Sequence, residues 1–227
     1  MNFIKLGFIG SYKVDLLHYF SCILRAMNKK VLVIDASMEQ FLKVTLPLED
    51  EMTRVTSKGI DFMVEQQEIE ALDQLDYSGY DIALIDYGFN KRVAYDFSSC
   101  HLLFVITDFQ KHHVILLKEM IQSFFTNQVN VVKIFRDVFT TKIKAGYIDR
   151  LLNIPVGVDV LAEYVFPLIE EDLECRLLCQ YEDVFKFNKL SKAYKNLFVD
   201  IIQELYGLKQ SDIMKALKRA EGGKICK

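Results

Sequence analysis

At 227 residues, 51% of them hydrophobic, the chain has the length and apolar content of one large domain with a substantial core. Its formal net charge of −3 gives no reason to expect bulk attraction to nucleic acid. No apolar run reaches the roughly 18–20 residues of a membrane span, and the N-terminus lacks the features of a signal peptide. The five cysteines are an odd set without a pairing pattern, which favours reduced thiols and a cytoplasmic location.

The chain begins with a predicted strand–helix–strand unit. Residues Ile4–Ile9 and Val31–Asp35 are apolar runs typical of buried strands. Between them, apolar side chains recur at spacings of three and four, which predicts a helix with one buried stripe made of Leu17, Phe20, Leu24 and Met27. The loop Gly10–Lys13 then lies where such units bind phosphate, because helix N–H groups and the helix dipole converge there.

Alternating strands and helices follow. Further strands are predicted at Gly59–Val64, Tyr80–Gly88, His101–Asp108, Val129–Phe135 and Val160–Phe166. Helices are predicted around Ile69–Leu75, Val114–Phe124, Glu170–Gln180 and Lys189–Tyr206, with Gly207 ending the last one. The polar stretch Lys43–Lys58 is predicted to be a loop.

This order predicts an α/β fold: a doubly wound, mostly parallel sheet of about seven strands with helices on both faces. Residues 1–207 would form one domain, and residues 208–227 a short basic tail.

With the elements in this order, the chain resembles the ParA/MinD family of P-loop ATPases, which position DNA, division proteins and surface machines inside bacterial cells. The segment KKVLVIDAS (Lys29–Ser37) is similar to the family's GKKVLLIDAD. Tyr80–Gly88 resembles its Walker B strand, with Asp86 at the magnesium-side position, and Val165–Ile201 resembles its closing strand–Pro–helix–helix segment. The resemblance extends from Phe3 to about Tyr206.

The phosphate loop departs from the family pattern KGGxGK[ST], which lies within the wider G-x4-G-K-[ST]. Lys13 matches the second lysine, and Gly7 and Gly10 match glycines. At four other positions the residue differs from the family pattern: Phe8 replaces a lysine, Ile9 and Tyr12 replace glycines, and Val14 replaces the Ser or Thr. We expect Tyr12 to add bulk and backbone strain where glycine normally lets N–H groups approach phosphate. Val14 lacks the hydroxyl that holds magnesium.

A second departure concerns hydrolysis. The family's D-x-D ends in an acid that helps to place the attacking water, and here the residues are Asp35, Ala36 and Ser37. Because several such groups are missing together, we expect ATP hydrolysis to be weak or absent, and we assign neither a catalytic residue nor a metal site.

Nucleotide binding without hydrolysis stays open. ATP or ADP with magnesium is then the cofactor that the resemblance implies, at Gly10, Ser11, Lys13, Asp35 and Asp86, with Arg136 and Pro167 near the adenine end.

The C-terminal segment is basic. From Lys186 to the end there are ten Lys or Arg against four Asp or Glu, so the rest of the chain carries nine excess negative charges. Relatives in the family bind DNA through basic residues or membranes through a terminal amphipathic helix. The residues that would attract nucleic acid or an anionic membrane surface here are Lys186, Lys189, Lys192, Lys195, Lys215, Lys218 and Arg219.

Three functions are compatible with these features. The leading hypothesis is a ParA/MinD-like positioning or scaffold protein with an eroded ATPase site, similar to the atypical ParA-like proteins of Tad pilus systems. It would recruit a protein partner of a bacterial pilus, secretion, conjugation or segregation machine through the surface that its relatives use for dimerisation. The alternatives are a slow ATP-dependent switch acting as a homodimer, and a tether to DNA or to the membrane periphery through the basic segment.

Overall fold

The computed structural model describes residues 3–124, 129–182 and 185–223. Eight strands form a single sheet. They are β1 (Ile4–Gly10), β2 (Val31–Asp35), β3 (Arg54–Ser57), β4 (Ile60–Met63), β5 (Ile82–Gly88), β6 (Leu102–Thr107), β7 (Asn130–Val138) and β8 (Asp159–Pro167). Their order across the sheet is β3-β4-β2-β5-β1-β6-β7-β8, and every neighbouring pair except β3 and β4 is parallel.

Helices cover both faces of the sheet. They are α1 (Val14–Ala26), α2 (Ile69–Asp73), α3 (Lys111–Phe124), α4 (Ala145–Leu152), α5 (Glu170–Tyr181), α6 (Lys192–Tyr206) and α7 (Gln210–Glu221). Helices α1, α5, α6 and α7 share one apolar core with the sheet, whereas α2, α3 and α4 share the other with a 3₁₀ helix at Lys91–Ser99. A second, shorter 3₁₀ helix spans Lys43–Thr45. The predicted fold class is therefore confirmed.

The central strands are buried on both faces, which explains their continuous apolar sequences. Every residue of β1, β2, β5 and β6 is buried. Phe8 of β1 stacks on Phe104 of β6 with ring centroids 4.6 Å apart, and Phe20 of α1 packs on both rings. The stripe predicted for the first helix thus lies against the middle of the sheet.

The strand that sequence reasoning missed is β3. It lies in the segment Lys43–Lys58 that was predicted to be a loop, and it pairs with β4 in antiparallel register. Lys58 and Gly59 both have positive φ, +57° and +70°, as the two-residue turn of a tight hairpin requires. The strand is short and alternates exposed and half-buried residues, so its apolar signal is weak.

The segment 208–227, predicted to be a tail, contains α7. The buried side of this helix packs against α1 and consists of Ile213, Ala216, Leu217 and Ala220. Arg219 donates a hydrogen bond to the carbonyl of Ala26, at 2.7 Å, which ties α7 to the end of α1. An apolar helix face that a membrane would need is therefore already covered by protein.

Buried polar side chains on α1 serve the fold. The Nε2 of His18 lies 3.0 Å from the hydroxyl of Thr45, and burial lowers the pKa of His18 to about 4. The thiols of Cys22, Cys100, Cys175 and Cys179 are buried, while Cys226 lies outside the described residues. In the described part of the chain, no helix is both long and apolar enough to cross a membrane.

Candidate functional site

Three charged side chains meet at the carboxyl edge of the sheet. Asp35 ends β2 and is in register with Asp86 of β5, and Lys13 precedes α1, which follows β1. Because β2, β5 and β1 are neighbours, the sheet order itself brings these residues together. The Nζ of Lys13 lies 2.9 Å from an Asp86 carboxylate oxygen, and both side chains are buried. The predicted residues are therefore adjacent.

The ammonium group of Lys13 is surrounded by oxygen atoms of the protein. It donates hydrogen bonds to the carbonyls of Gly10, at 2.9 Å, and Ser11, at 3.2 Å, and it forms an ion pair with Asp86. The carboxylate of Asp86 also accepts the backbone N–H of Gly88, at 2.8 Å. The cation is neutralised within the protein and does not project from the loop.

Strand β1 includes Gly7–Gly10, the residues that align with the first half of the family's phosphate-loop pattern. Gly7–Ile9 pair with both β5 and β6, with a register shift near Ile9 and Gly88, and Gly10 pairs with Ile106 of β6. The backbone N–H of Ser11 then donates to the carbonyl of Ile106 at 2.9 Å. Only Ser11–Lys13 separate the strand from the helix. The N–H of Ser11 is therefore used in sheet pairing and does not point into the loop as in a P-loop.

The two matched glycines have packing roles in this arrangement. A Cβ at Gly7 would lie 2.7 Å from the ring of Tyr87 and from the side chain of Leu103. Gly10 has a φ of +102°, and a Cβ there would lie 1.9 Å from the carbonyl oxygen of Ile106. Close strand pairing therefore accounts for both glycines without a bound phosphate.

Tyr12 lies beside the loop without straining its backbone. It is half-buried against the core that α1 shares with the sheet, and its ring centroid lies 5.9 Å from that of Phe41, so its bulk does occupy the loop. The backbone strain is absent, because Tyr12 does not have a positive φ. The expectation of strain assumed a positive φ at this position, which Tyr12 does not adopt.

Asp35 organises the loop that follows β2. Its carboxylate accepts the backbone N–H of Ser37 at 3.0 Å, the hydroxyl of Ser37 at 2.6 Å and the backbone N–H of Leu42 at 3.1 Å. Burial, and then the nearby charge of Asp86, raise the pKa of Asp35 to about 7. Ser37 occupies the position of the second acid in the family's D-x-D, and here it donates hydrogen bonds to the first acid, Asp35.

Arg136, predicted near the adenine end, connects the loop with the two helices α1 and α6. Its guanidinium is 1% exposed and forms a two-pronged ion pair with Asp15, with N–O distances of 2.8 and 2.6 Å. It also donates to the carbonyl of Tyr12, at 2.8 Å, and to the hydroxyl of Tyr194, at 2.7 Å. Arg176 of α5 approaches Asp15 at 3.8 Å. Pro167 is exposed at the end of β8, where it pairs with Val138.

Asp15 was not identified from the sequence, and it changes the electrostatics of the site. Its carboxylate lies in the first turn of α1, where it interacts favourably with the helix dipole. The helix terminus that would attract a phosphate therefore already has an anion of the protein nearby. The sequence did contain a signal for this ion pair, namely an acid in the first turn of a predicted helix and an arginine after a predicted buried strand.

A cavity of about 380 Å³ opens in front of the loop. Its floor includes Gly10, Lys13 and Asp86, and its walls are largely apolar or aromatic, including Tyr12, Phe41, Phe89, His113 and Leu116. Phe89 stacks on His113 with ring centroids 5.8 Å apart, and the Nδ1 of His113 lies 2.9 Å from both carboxylate oxygens of Asp108. The space beside the loop is thus bounded mainly by rings and aliphatic groups.

Most of the seven C-terminal basic residues are engaged. Lys189 pairs with Glu174 at 2.9 Å, Lys195 with Glu221 at 3.2 Å and Lys215 with Asp212 at 3.0 Å. Arg219 bonds to Ala26 as described above. The three others, Lys186, Lys192 and Lys218, are exposed.

Comparison with solved structures identifies the fold. The chain has the fold of the ParA/MinD family of ATPases. It aligns with a ParA family ATPase from Chlorobium tepidum TLS at a TM-score of 0.51 and 12% identity, covering 96% of this chain and 97% of that one. The match to the MinC:MinD cell division complex of Aquifex aeolicus has a TM-score of 0.52 and 15% identity, and covers 96% of each chain.

A putative plasmid partition protein from Borrelia burgdorferi B31, solved with AMPPNP, gives a TM-score of 0.55 at 13% identity, covering 89% of this chain and 99% of that one. No protein-family model matches the sequence, and the comparison with curated proteins gives no significant match. At these identities the likeness concerns the fold, so activity has to be argued from the site.

We predict that Arg136→Met lowers the free energy of unfolding by about 3–5 kcal/mol, because it leaves the Asp15 carboxylate buried without its main partner. The double variant Arg136→Met/Asp15→Leu should lose less free energy of unfolding than the single variant, since it also removes the buried negative charge of Asp15. Guanidinium unfolding measures both values.

The matched control is Arg92→Met, which removes an ion pair with Glu68 whose side chains are both more than half exposed. The Arg92→Met substitution should lower the free energy of unfolding by less than about 1 kcal/mol. A loss that small for Arg136→Met would contradict the role given to this ion pair.

Proposed function

We propose that this protein is a ParA/MinD-like positioning or scaffold protein that works by binding a protein partner and does not use ATP. The observation that carries the proposal is the extended path of β1, which commits the N–H of Ser11 to Ile106 and leaves Lys13 neutralised by Asp86. A phosphate would have to displace both interactions. The residues present do not fit a bound magnesium nucleotide.

The local charges support the same conclusion. A triphosphate brings several negative charges, and the acids Asp15, Asp35 and Asp86 are all buried near the loop. The nearby cations Lys13 and Arg136 are already paired with Asp86 and Asp15. Val14 offers no oxygen at the position where the family holds magnesium. Binding would therefore require uncompensated buried charge, which is costly.

The partner surface that we propose lies at the carboxyl edge of the sheet. We call it the carboxyl-end surface and define it by the cavity-wall residues Phe41, Phe89 and Leu116 with the neighbouring Met38 and Ile115. Four of these side chains, those of Met38, Phe41, Ile115 and Leu116, are 40–51% exposed. A cluster of exposed apolar side chains around a cavity is typical of a protein interaction site.

The Aquifex aeolicus MinD was solved in complex with the protein MinC, so the fold is compatible with recruiting a partner protein. The partner here would be a component of a bacterial pilus, secretion, conjugation or segregation machine. The switch and tether alternatives have less support, because the loop lacks a free cation and four of the seven basic residues are engaged.

We predict that millimolar ATP or ADP with magnesium leaves the melting temperature unchanged and gives no heat in calorimetry. A ligand at 100 times its dissociation constant would stabilise the protein by about 2.7 kcal/mol, so binding of ordinary strength is readily detected. A magnesium-dependent stabilisation that disappears in Lys13→Ala would contradict the proposal and favour the ATP-dependent switch.

The variant Tyr12→Gly/Val14→Thr sharpens this test. If side chains alone had removed nucleotide binding, restoring the family residues would recover it. Because the backbone of β1 is already paired through Gly10, we expect no recovery.

We predict that a photoreactive residue at position 116, introduced into the protein in its native host, forms one discrete covalent adduct with another protein. The control is position 156, where Val156 is fully exposed away from the carboxyl-end surface. An adduct of twice 26.4 kDa would indicate self-association and favour the switch. No adduct at position 116, or the same adduct at both positions, would contradict recruitment through this surface.

A further inference from the structure

Strand β8 leaves one edge of the sheet open. The strand order ends at β8, and within the described ranges no strand pairs with its outer side. β8 has nine residues, whereas β3 at the opposite edge has four and carries Arg54, which contacts Asp61. Natural edge strands are usually short, covered or charged, because their free N–H and C=O groups can template another strand. A long open edge therefore calls for an explanation.

The sequence of β8, DVLAEYVFP, suits strand pairing. It is rich in β-branched, aromatic and aliphatic residues and contains no lysine or arginine. Val160, Leu161 and Val165 are 39%, 46% and 43% exposed. Pairing with β7 shifts register at Leu161 and again between Val165 and Pro167, and it is regular from Ala162 to Val165. This regular stretch in the middle of the strand is straight enough to accept a neighbour.

The charges around β8 are mainly negative. Asp159 and Glu163 lie on the strand, and among the residues that the structure describes Glu163 has a basic partner, Lys133, at 2.7 Å, whereas Asp159 has none. The hydroxyl of Tyr164 donates to Asp200 of α6, at 3.1 Å. Glu204 shares a depression of about 410 Å³ with Leu161. An acidic edge with exposed aliphatic side chains complements a strand that carries basic and β-branched residues.

A second copy of the chain complements this edge poorly. Antiparallel pairing of two β8 strands about their midpoint would place Glu163 opposite its own counterpart, and like charges directly opposite are destabilising. The same register places Asp159 opposite Pro167, which has no N–H to donate.

We propose that β8 binds an extended segment of a partner protein as a ninth strand, and that this segment carries lysine or arginine alternating with β-branched residues. Main-chain hydrogen bonds to the free edge would provide affinity, and the acids beside β8 would select the basic residues. This site is distinct from the carboxyl-end surface, so it would stand even if the partner proposed there were absent.

The test uses a peptide of about ten residues in which lysine and valine alternate, and a second peptide with glutamate in place of lysine. In about 50 mM salt, the basic peptide should bind at least about tenfold more tightly, measured by fluorescence anisotropy. Hydrogen exchange should slow at the amides of β8 and not elsewhere. Equal affinity for the two peptides, or protection only outside β8, would overturn the proposal.

Two variants with the same charge change separate edge pairing from general attraction. Val165→Lys places a like charge on the edge and should weaken basic-peptide binding at least about tenfold. Val44→Lys adds the same charge on the 3₁₀ helix Lys43–Thr45, where Val44 is 80% exposed, and should leave binding unchanged. Equal weakening by both variants, or a dimer of the unliganded protein that Val165→Lys abolishes, would overturn the proposal in favour of non-specific attraction or a second copy.

Discussion

The continuation of β1 into the first residues of the loop is the constraint on which the site depends. Once Gly10 adopts its left-handed conformation against β6, the N–H of Ser11 pairs with Ile106, and only two residues precede α1. Lys13 must then turn back over Gly10 and Ser11, where Asp86 lies within reach. A single extension of strand pairing thereby engages the N–H of Ser11 and places the Lys13 cation against Asp86.

The charged groups around the loop now stabilise the protein itself. The ion pair between Asp15 and Arg136 links α1 to β7. Tyr194 of α6 accepts a hydrogen bond from Arg136, and Arg176 of α5 lies close to Asp15. Asp35 plays the corresponding part for the loop after β2. Buried charges of this kind are stable only when each has its partners. A fold associated with ATPases can in this way retain its acidic and basic residues while changing what they contact.

The fold could be predicted from the sequence because its central strands are continuous apolar runs separated by amphipathic helices. The charged cluster could be predicted too, since Lys13, Asp35 and Asp86 follow neighbouring parallel strands. Residue identity alone did not reveal that β1 reaches Gly10, because a glycine suits a phosphate loop and a tightly paired strand equally well. Likewise, Arg136 was assigned to a nucleotide by the family resemblance, and its partner, Asp15, lies too far away in sequence for the ion pair to be recognised.

The amide hydrogen of Ser11 tests the central claim most directly. If it is bonded to Ile106 within the sheet, its exchange with solvent should be as slow as that of the neighbouring core amides, and millimolar ATP with magnesium should not alter it. Fast exchange of this amide in the free protein, or a change in its rate or chemical shift on adding the nucleotide, would contradict the claim that strand pairing has replaced phosphate binding.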